Sequence, residues 1–188
     1  MSRLTSILAL LVALTGCASS PWSVVRQEPT NPIAGSKMFA VLPVDATPIV
    51  KEGKSDKDVL AKHGFSDGSS ELTEAFSSYM QTSASRVGGF VLHYGDHEAV
   101  DFVIRPRIAE MDPGLSTTVY SRPSKVVMEV SIEHRDGRVL DVIRVESSTP
   151  VEQVKDPSER YRQDLKRITR HVVDYLSLRT QVPESTSL

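Results

Sequence analysis

Hydrophobic positions change their spacing several times along the chain, and each change marks an element. Met38-Phe39-Ala40-Val41-Leu42-Pro43-Val44 is an unbroken apolar run between Ser36-Lys37 and Asp45, the pattern of a short strand covered on both faces. From Ser70 to Val87 the spacing becomes helical. Leu72, Phe76, Tyr79, Met80, Ser83 and Val87 share one face, Ser69 or Ser70 can cap the start, Glu71 and Glu74 suit the positive end of the dipole, and Gly88-Gly89 stop the helix. Phe90 to Tyr94 predicts a second strand, ended by Gly95-Asp96. Strict alternation then takes over. Between Asp101 and Glu110 it sets Phe102, Ile104 and Ile108 opposite Arg105 and Arg107, and Pro106 inside the run predicts an edge position or a bulge. Residues 111–124, with Pro113-Gly114 and Pro123, read as a loop or ragged hairpin. Lys125 to His134 alternates through Val126, Met128, Val130 and Ile132, Asp136-Gly137 predicts a two-residue turn, and a return strand runs over 138–147.

The last element is the best specified. Asp156 as cap, Pro157 at the first helical position and Glu159 able to close a capping box start a helix whose face carries Tyr161, Leu165, Ile168, Val172, Tyr175 and Leu176. Its other face carries Arg160, Arg162, Lys166, Arg167 and Arg170. Residues 45–66 hold Gly53, Gly64 and many charges and read as a mobile loop with a helical turn or two around 56–63. The fold class is therefore α+β: a mixed, mainly antiparallel sheet of about five strands with two main helices packed on one face.

Composition narrows the functions. A chain of 188 residues, 39% hydrophobic and 24% charged, is an ordinary globular chain with one core. Its 22 basic and 24 acidic side chains leave no bulk charge to draw nucleic acid or anionic membrane. A single cysteine rules out an internal disulfide and a cysteine-based zinc site.

That cysteine stands in an informative place. Arg3 is followed by eight apolar residues, Ile7 to Leu14, well short of the about 20 that a spanning helix needs and typical of a signal peptide. The next residues, Leu14-Thr15-Gly16-Cys17, resemble the lipobox of bacterial lipoproteins. The resemblance implies cleavage between Gly16 and Cys17, acylation of Cys17, and a membrane partner reached through lipid alone. Ala18 stands where an aspartate would imply retention in the inner membrane, so the implied address is the outer membrane, facing the periplasm. The expected map is a signal peptide over 1–16, a lipidated flexible tether over 17–37, one domain over 38–179 and a disordered tail over 180–188. From the strand at 38–44 onward, the order of elements resembles the group of lipoproteins that includes the TolB N-terminal domain, the curli secretion lipoprotein and the peptidoglycan-synthase activators. No paired segments long enough for a transmembrane barrel accompany it.

Candidate chemistry is sparse. His93-Tyr94-Gly95-Asp96-His97 sets two imidazoles across a strand end and a turn, not on one helix face as a metal pair would need. No Gly-x-Ser-x-Gly elbow and no phosphate-binding loop occurs. The expectation is no catalytic residue, no metal and no cofactor. Arg105, Arg107, Arg160, Lys166, Arg167 and Arg170 are the candidates for a partner-binding surface. The function expected is a non-enzymatic, lipid-anchored binding or adaptor protein of the envelope. Its partner would be another envelope protein or peptidoglycan and not nucleic acid, with a homo-oligomer compatible. The alternatives are a subunit of an oligomeric secretion or assembly complex, and an envelope hydrolase.

Overall fold

A computed structural model describes residues 20–36, 38–50, 54–94 and 100–182. The chain runs β1 (Trp22–Arg26), β2 (Met38–Val41), α1 (Asp56–Ala61), α2 (Ser69–Val87), β3 (Val91–Tyr94), β4 (Phe102–Asp112), β5 (Leu115–Ser116), β6 (Ser121–Arg122), β7 (Lys125–His134), β8 (Val139–Ser147) and α3 (Pro157–Thr180). A six-stranded sheet has the order β1-β8-β7-β4-β2-β3, and β5-β6 form a separate small hairpin. β2 lies parallel to both its neighbours, while the other pairings in the large sheet are antiparallel. The fold is α+β, as the alternation and the two long helical patterns predict.

The core lies between one face of the sheet and α2 with α3. Phe39, Val41, Ile104, Ile108, Met128, Val130, Ile132, Ile143 and Val145 from the strands meet Leu72, Phe76, Met80, Tyr161, Leu165, Ile168, Val172 and Leu176 from the helices. The other face carries a smaller apolar cluster of Ala40, Val100 and Val103, with Leu42 against it. The two helices run in the same direction: Arg162 meets Glu71 near both starts, and Arg86 shares a groove with Arg170 further along. The loop between α1 and α2 closes on the start of α3 at Gly64, whose φ is +84° and whose Cβ, if present, would occupy the space of Ser158; a positive φ and lack of room both favour glycine.

Several expectations require correction. The flexible tether over 17–37 does not hold where residues are described. Trp22–Arg26 is a sheet strand on β8, Ile33 is fully buried, and Gly35 N–H donates to the Thr180 carbonyl at 2.8 Å. This segment supplies the sixth strand. The mobile loop expected over 45–66 is packed at residues 54–66, where Leu60 and Phe65 are fully buried. α2 is capped neither by Ser69 nor by Ser70. Gly68 is the N-cap, and Asp56 accepts from Ser69 N–H at 3.3 Å and from its hydroxyl at 2.7 Å. Pro106 is not on an edge, because β4 lies between β2 and β7. Its carbonyl accepts from Asp45 N–H, so its missing donor faces the side where β2 has already ended at Val41 and no ladder bond is lost. The β7–β8 connection is one residue longer than predicted. His134 N–H bonds the Arg138 carbonyl and Gly137, at φ +88°, sits in the left-handed position that a three-residue turn requires.

α3 begins as its sequence dictates, Asp156 accepting from Ser158 N–H at 2.9 Å with Pro157 next. It remains helical through Thr180, one residue into the expected tail. Residues 183–188 of that tail, and the signal and lipobox residues, lie outside the described residues.

Candidate partner-binding site

The six candidate cations do not form one surface. Arg105 and Arg107 lie on the sheet face away from the helices. There Arg105 donates from Nε and Nη2 to Glu133 at 3.1 and 3.2 Å, Arg107 lies 3.7 Å from Asp45, and Arg144 donates to Glu129 at 3.0 Å. Lys125 adds contacts to Glu110 at 2.9 Å and Glu146 at 3.7 Å. Arg105, Arg107, Arg144 and Lys125 each have a carboxylate on a neighbouring strand or loop, so these four charges are neutralised across the strands. Burial pushes the Glu133 carboxyl up, but the hydrogen bonds from Arg105 and Ser131 outweigh it and hold the group below its ordinary value.

Arg160 is also removed from the surface. It is only 4% exposed; its guanidinium donates to the carbonyls of Val154 and Lys155 at 2.7 Å each and of Pro113 at 2.8 Å. It ties the 113 and 148–156 loops to the start of α3. Position 160 falls beside the apolar face, and no local pattern shows that three carbonyls wait there. Arg167 is half structural. Its partner Asp164 is fully buried and accepts from Ser124 Oγ at 2.6 Å, Ser147 Oγ at 2.9 Å, Thr149 Oγ1 at 2.8 Å and Arg167 Nη2 at 2.6 Å. Asp164 stands in sequence among the basic residues of α3, yet it joins that helix to the start of β7 and the end of β8.

Lys166, Arg167 and Arg170 do come together, and α2 adds a fourth cation that the sequence reading did not include. Arg86 from the last turn of α2, with Lys166, Arg167 and Arg170 of α3, lines a groove of about 180 Å³ between the helices. Tyr79, Thr82, Ser83 and Gln163 supply the rest of its wall. Among the described residues Arg86, Lys166 and Arg170 make no ion pair, and no carboxylate lines the groove. Burial first, and then the neighbouring Arg170 charge, hold His171 below the ordinary histidine value. The groove can hold an anion by several N–H donors, with hydroxyls at hand to complete its hydrogen bonding. Arg86 follows Thr82 by four residues along one helix face, but only the pairing of α2 with α3 shows that this face meets Lys166 and Arg170.

The histidines stand apart. His63 Nδ1 lies 2.8 Å from the hydroxyl of buried Tyr161, His134 Nδ1 lies 3.0 Å from Asp136, and His93 is exposed on the edge strand β3. Asp96 and His97 lie outside the described residues, as do Gly16 and Cys17. Among the described residues no group of three histidine, cysteine or acidic side chains is placed to hold a metal ion. No helix there is long and apolar enough to cross a membrane.

No family model matches the chain, and no curated protein matches it. Solved structures with partial likeness include PelC, a dodecamer from Paraburkholderia phytofirmans, with TM-score 0.48, 8% identity, and 80% of this chain and 96% of that one covered. A hypothetical protein of Chlamydia trachomatis has TM-score 0.48 and 14% identity over 74% of this chain and 97% of its own. A lipoprotein of Neisseria meningitidis has TM-score 0.32 and 13% identity over 76% and 99%. Overlaps this loose transfer neither a fold nor an activity.

Proposed function

We propose that this chain is a lipid-anchored, non-enzymatic binding protein of the bacterial envelope, held by Cys17 to the outer membrane and facing the periplasm. Its α2–α3 groove takes an anionic component of that envelope, an acidic protein segment or the carboxylates of peptidoglycan. The observation that carries the binding role is the convergence of Arg86, Lys166 and Arg170 around one groove with no carboxylate to neutralise them. These three unpaired cations around one groove repel one another, and an anionic occupant relieves that repulsion. The anchor rests on Leu14-Thr15-Gly16-Cys17. The packed segment from Trp22 refines the mechanism. The domain is held within a few residues of the bilayer and not at the end of a long tether, which raises its effective concentration at that surface.

The test is in-cell photocrosslinking of the full chain, with a photoreactive side chain at Thr82 and, as control, at Asp136, each with and without Cys17→Ala. An envelope component captured from position 82 and not from 136, and lost with the anchor, is the expected result. No capture from position 82 by any envelope component overturns the binding role.

A second reading, a subunit of an oligomeric assembly, has support in the two sheet edges, β1 and β3, which pair with no further strand among the described residues. β1 exposes Val24 and Val25 and β3 exposes Val91. Self-crosslinks alone, captured from these edges, would favour it over the adaptor.

A further inference from the structure

The β5–β6 hairpin spends its most apolar residues on solvent. Leu115, Val119 and Tyr120 are 49%, 94% and 58% exposed, and Leu115-Ser116-Thr117-Thr118-Val119-Tyr120 carries no charge. The turn is firmly built: Thr117 Oγ1 donates to the Tyr120 carbonyl at 2.8 Å and accepts from Tyr120 N–H at 2.9 Å. Its base is fixed as well, by Arg122 on Asp112 at 2.9 Å, Gly114 N–H on Asp112 at 2.8 Å, and Ser121 on Glu152. A single exposed valine needs no explanation, but three large apolar side chains on one held, uncharged turn mark a contact surface.

The sheet register says where that turn sits. Trp22 pairs with Val145, Val145 with Met128, and Lys125 with Asp112. Asp112 and Lys125 are the points where the chain leaves the sheet for the hairpin, so the hairpin emerges from the same end of the sheet as the chain that leads back to Cys17. Lys125 stands three residues beyond Met128, which places the base of the hairpin roughly 10 Å further toward that end than Trp22. The five residues from Cys17 to Trp22 reach at most about 17 Å. An acylated Cys17 therefore holds this end of the domain against the bilayer, with the apolar turn on the lipid side.

We propose that Leu115, Val119 and Tyr120 dip into the membrane interface as a second contact beside the lipid anchor, fixing the orientation of the domain. The occupant is a lipid surface, and the inference rests on the anchor reading above. Tyrosine suits the headgroup level, with its ring among the acyl chains and its hydroxyl in water. The depth implied is the roughly 5–10 Å typical of interfacial apolar groups. The mixed charges at the base, Arg122, Lys125, Asp112 and Glu152, stay at the aqueous boundary.

The test uses the mature acylated protein in vesicles of phosphatidylethanolamine and phosphatidylglycerol. Mass spectrometry of its first residue reads the acylation. An environment-sensitive dye is attached at Val119→Cys and, as control, at Asp136→Cys in the β7–β8 turn at the opposite end of the sheet. The expected result is a blue-shifted dye at 119 that is quenched by doxyl lipids and shielded from iodide, with the dye at 136 open to iodide. Equal iodide quenching at both positions, with Cys17 acylated, overturns the hairpin contact and leaves the anchor standing. An unmodified Cys17 overturns both. A dye at 119 shielded by protein and not by lipid, shown by crosslinking in place of doxyl quenching, also overturns the lipid contact.

Discussion

Asp141→Asn tests whether the N-terminal strap is held by one buried carboxylate. Asp141 is fully buried near the start of β8 and accepts from Glu28 N–H at 3.0 Å, Tyr175 hydroxyl at 2.9 Å, and Arg179 Nε and Nη2 at 2.8 and 3.1 Å. Arg179 continues the link to the Glu28 carbonyl at 3.2 Å, and its own carbonyl accepts from Asn31 at 2.7 Å. Asparagine keeps the shape, removes the charge, and turns one acceptor into a donor facing other donors. Removing one partner of a buried ion pair costs about 3–5 kcal/mol. The Arg179 side chain keeps 14% exposure, so water recovers part of its loss and the lower end, about 3 kcal/mol, applies. At roughly 2–4 °C per kcal/mol for a domain of this size, Tm falls by about 6–12 °C. The assay is thermal unfolding followed by far-UV circular dichroism and by the fluorescence of Trp22, the sole tryptophan, which meets Tyr175 edge-on at 5.9 Å. The fluorescence transition should move at least as far as the dichroism. Arg179→Met added to Asp141→Asn should cost less than the sum of the two, because both charges are then gone. A loss below about 0.5 kcal/mol, the range of ordinary surface changes, would refute the reasoning.

Gly64→Ala should destabilise the domain by more than about 2 kcal/mol in urea unfolding, through positive φ and collision with Ser158 together. Arg160→Met leaves three loop carbonyls without their donor and should cost about 3 kcal/mol with faster amide exchange over 148–156, whereas Arg170→Met on the groove should stay within about 0.5 kcal/mol. Burial first, then the Lys62 charge, lower the His63 value against an opposing pull from Asp112. Its stabilising effect is therefore full above the ordinary histidine value and is lost as pH falls through the lowered one. His63→Gln should make the urea midpoint less sensitive to pH as it falls below the ordinary histidine value of about 6.5.

Local sequence fixes the elements whose stabilising contacts are near in sequence or repeat regularly. Asp156-Pro157 sets the start of α3 within three residues, and the alternation around Val126 to Ile132 orients β7 without reference to the rest of the chain. The strap is different. Pro21, Pro29 and Pro32 make it resemble a linker, and the groups that hold it, Asp141, Tyr175 and Arg179, lie more than a hundred positions away. Arg160 and Asp164 belong to the same class, since periodicity along α3 cannot reveal acceptors and hydroxyls brought by other elements. The groove was half legible: Lys166, Arg167 and Arg170 stand out on one helix, and Arg86 joins them only once α2 lies parallel to α3.

The pairing of β1 with β8 also decides how the domain bears force. Trp22 to Arg26 runs away from the point where the chain enters, antiparallel to β8, with the Glu28–Asp141–Arg179 clamp behind it. A pull on the chain ahead of Trp22, directed out of that end of the sheet, acts along the strand and loads its ladder bonds together in shear. A sideways pull would instead open them one pair after another. Drawn along the line of its own first strand, the domain resists as a whole; pulled across that line, it gives way at the edge first.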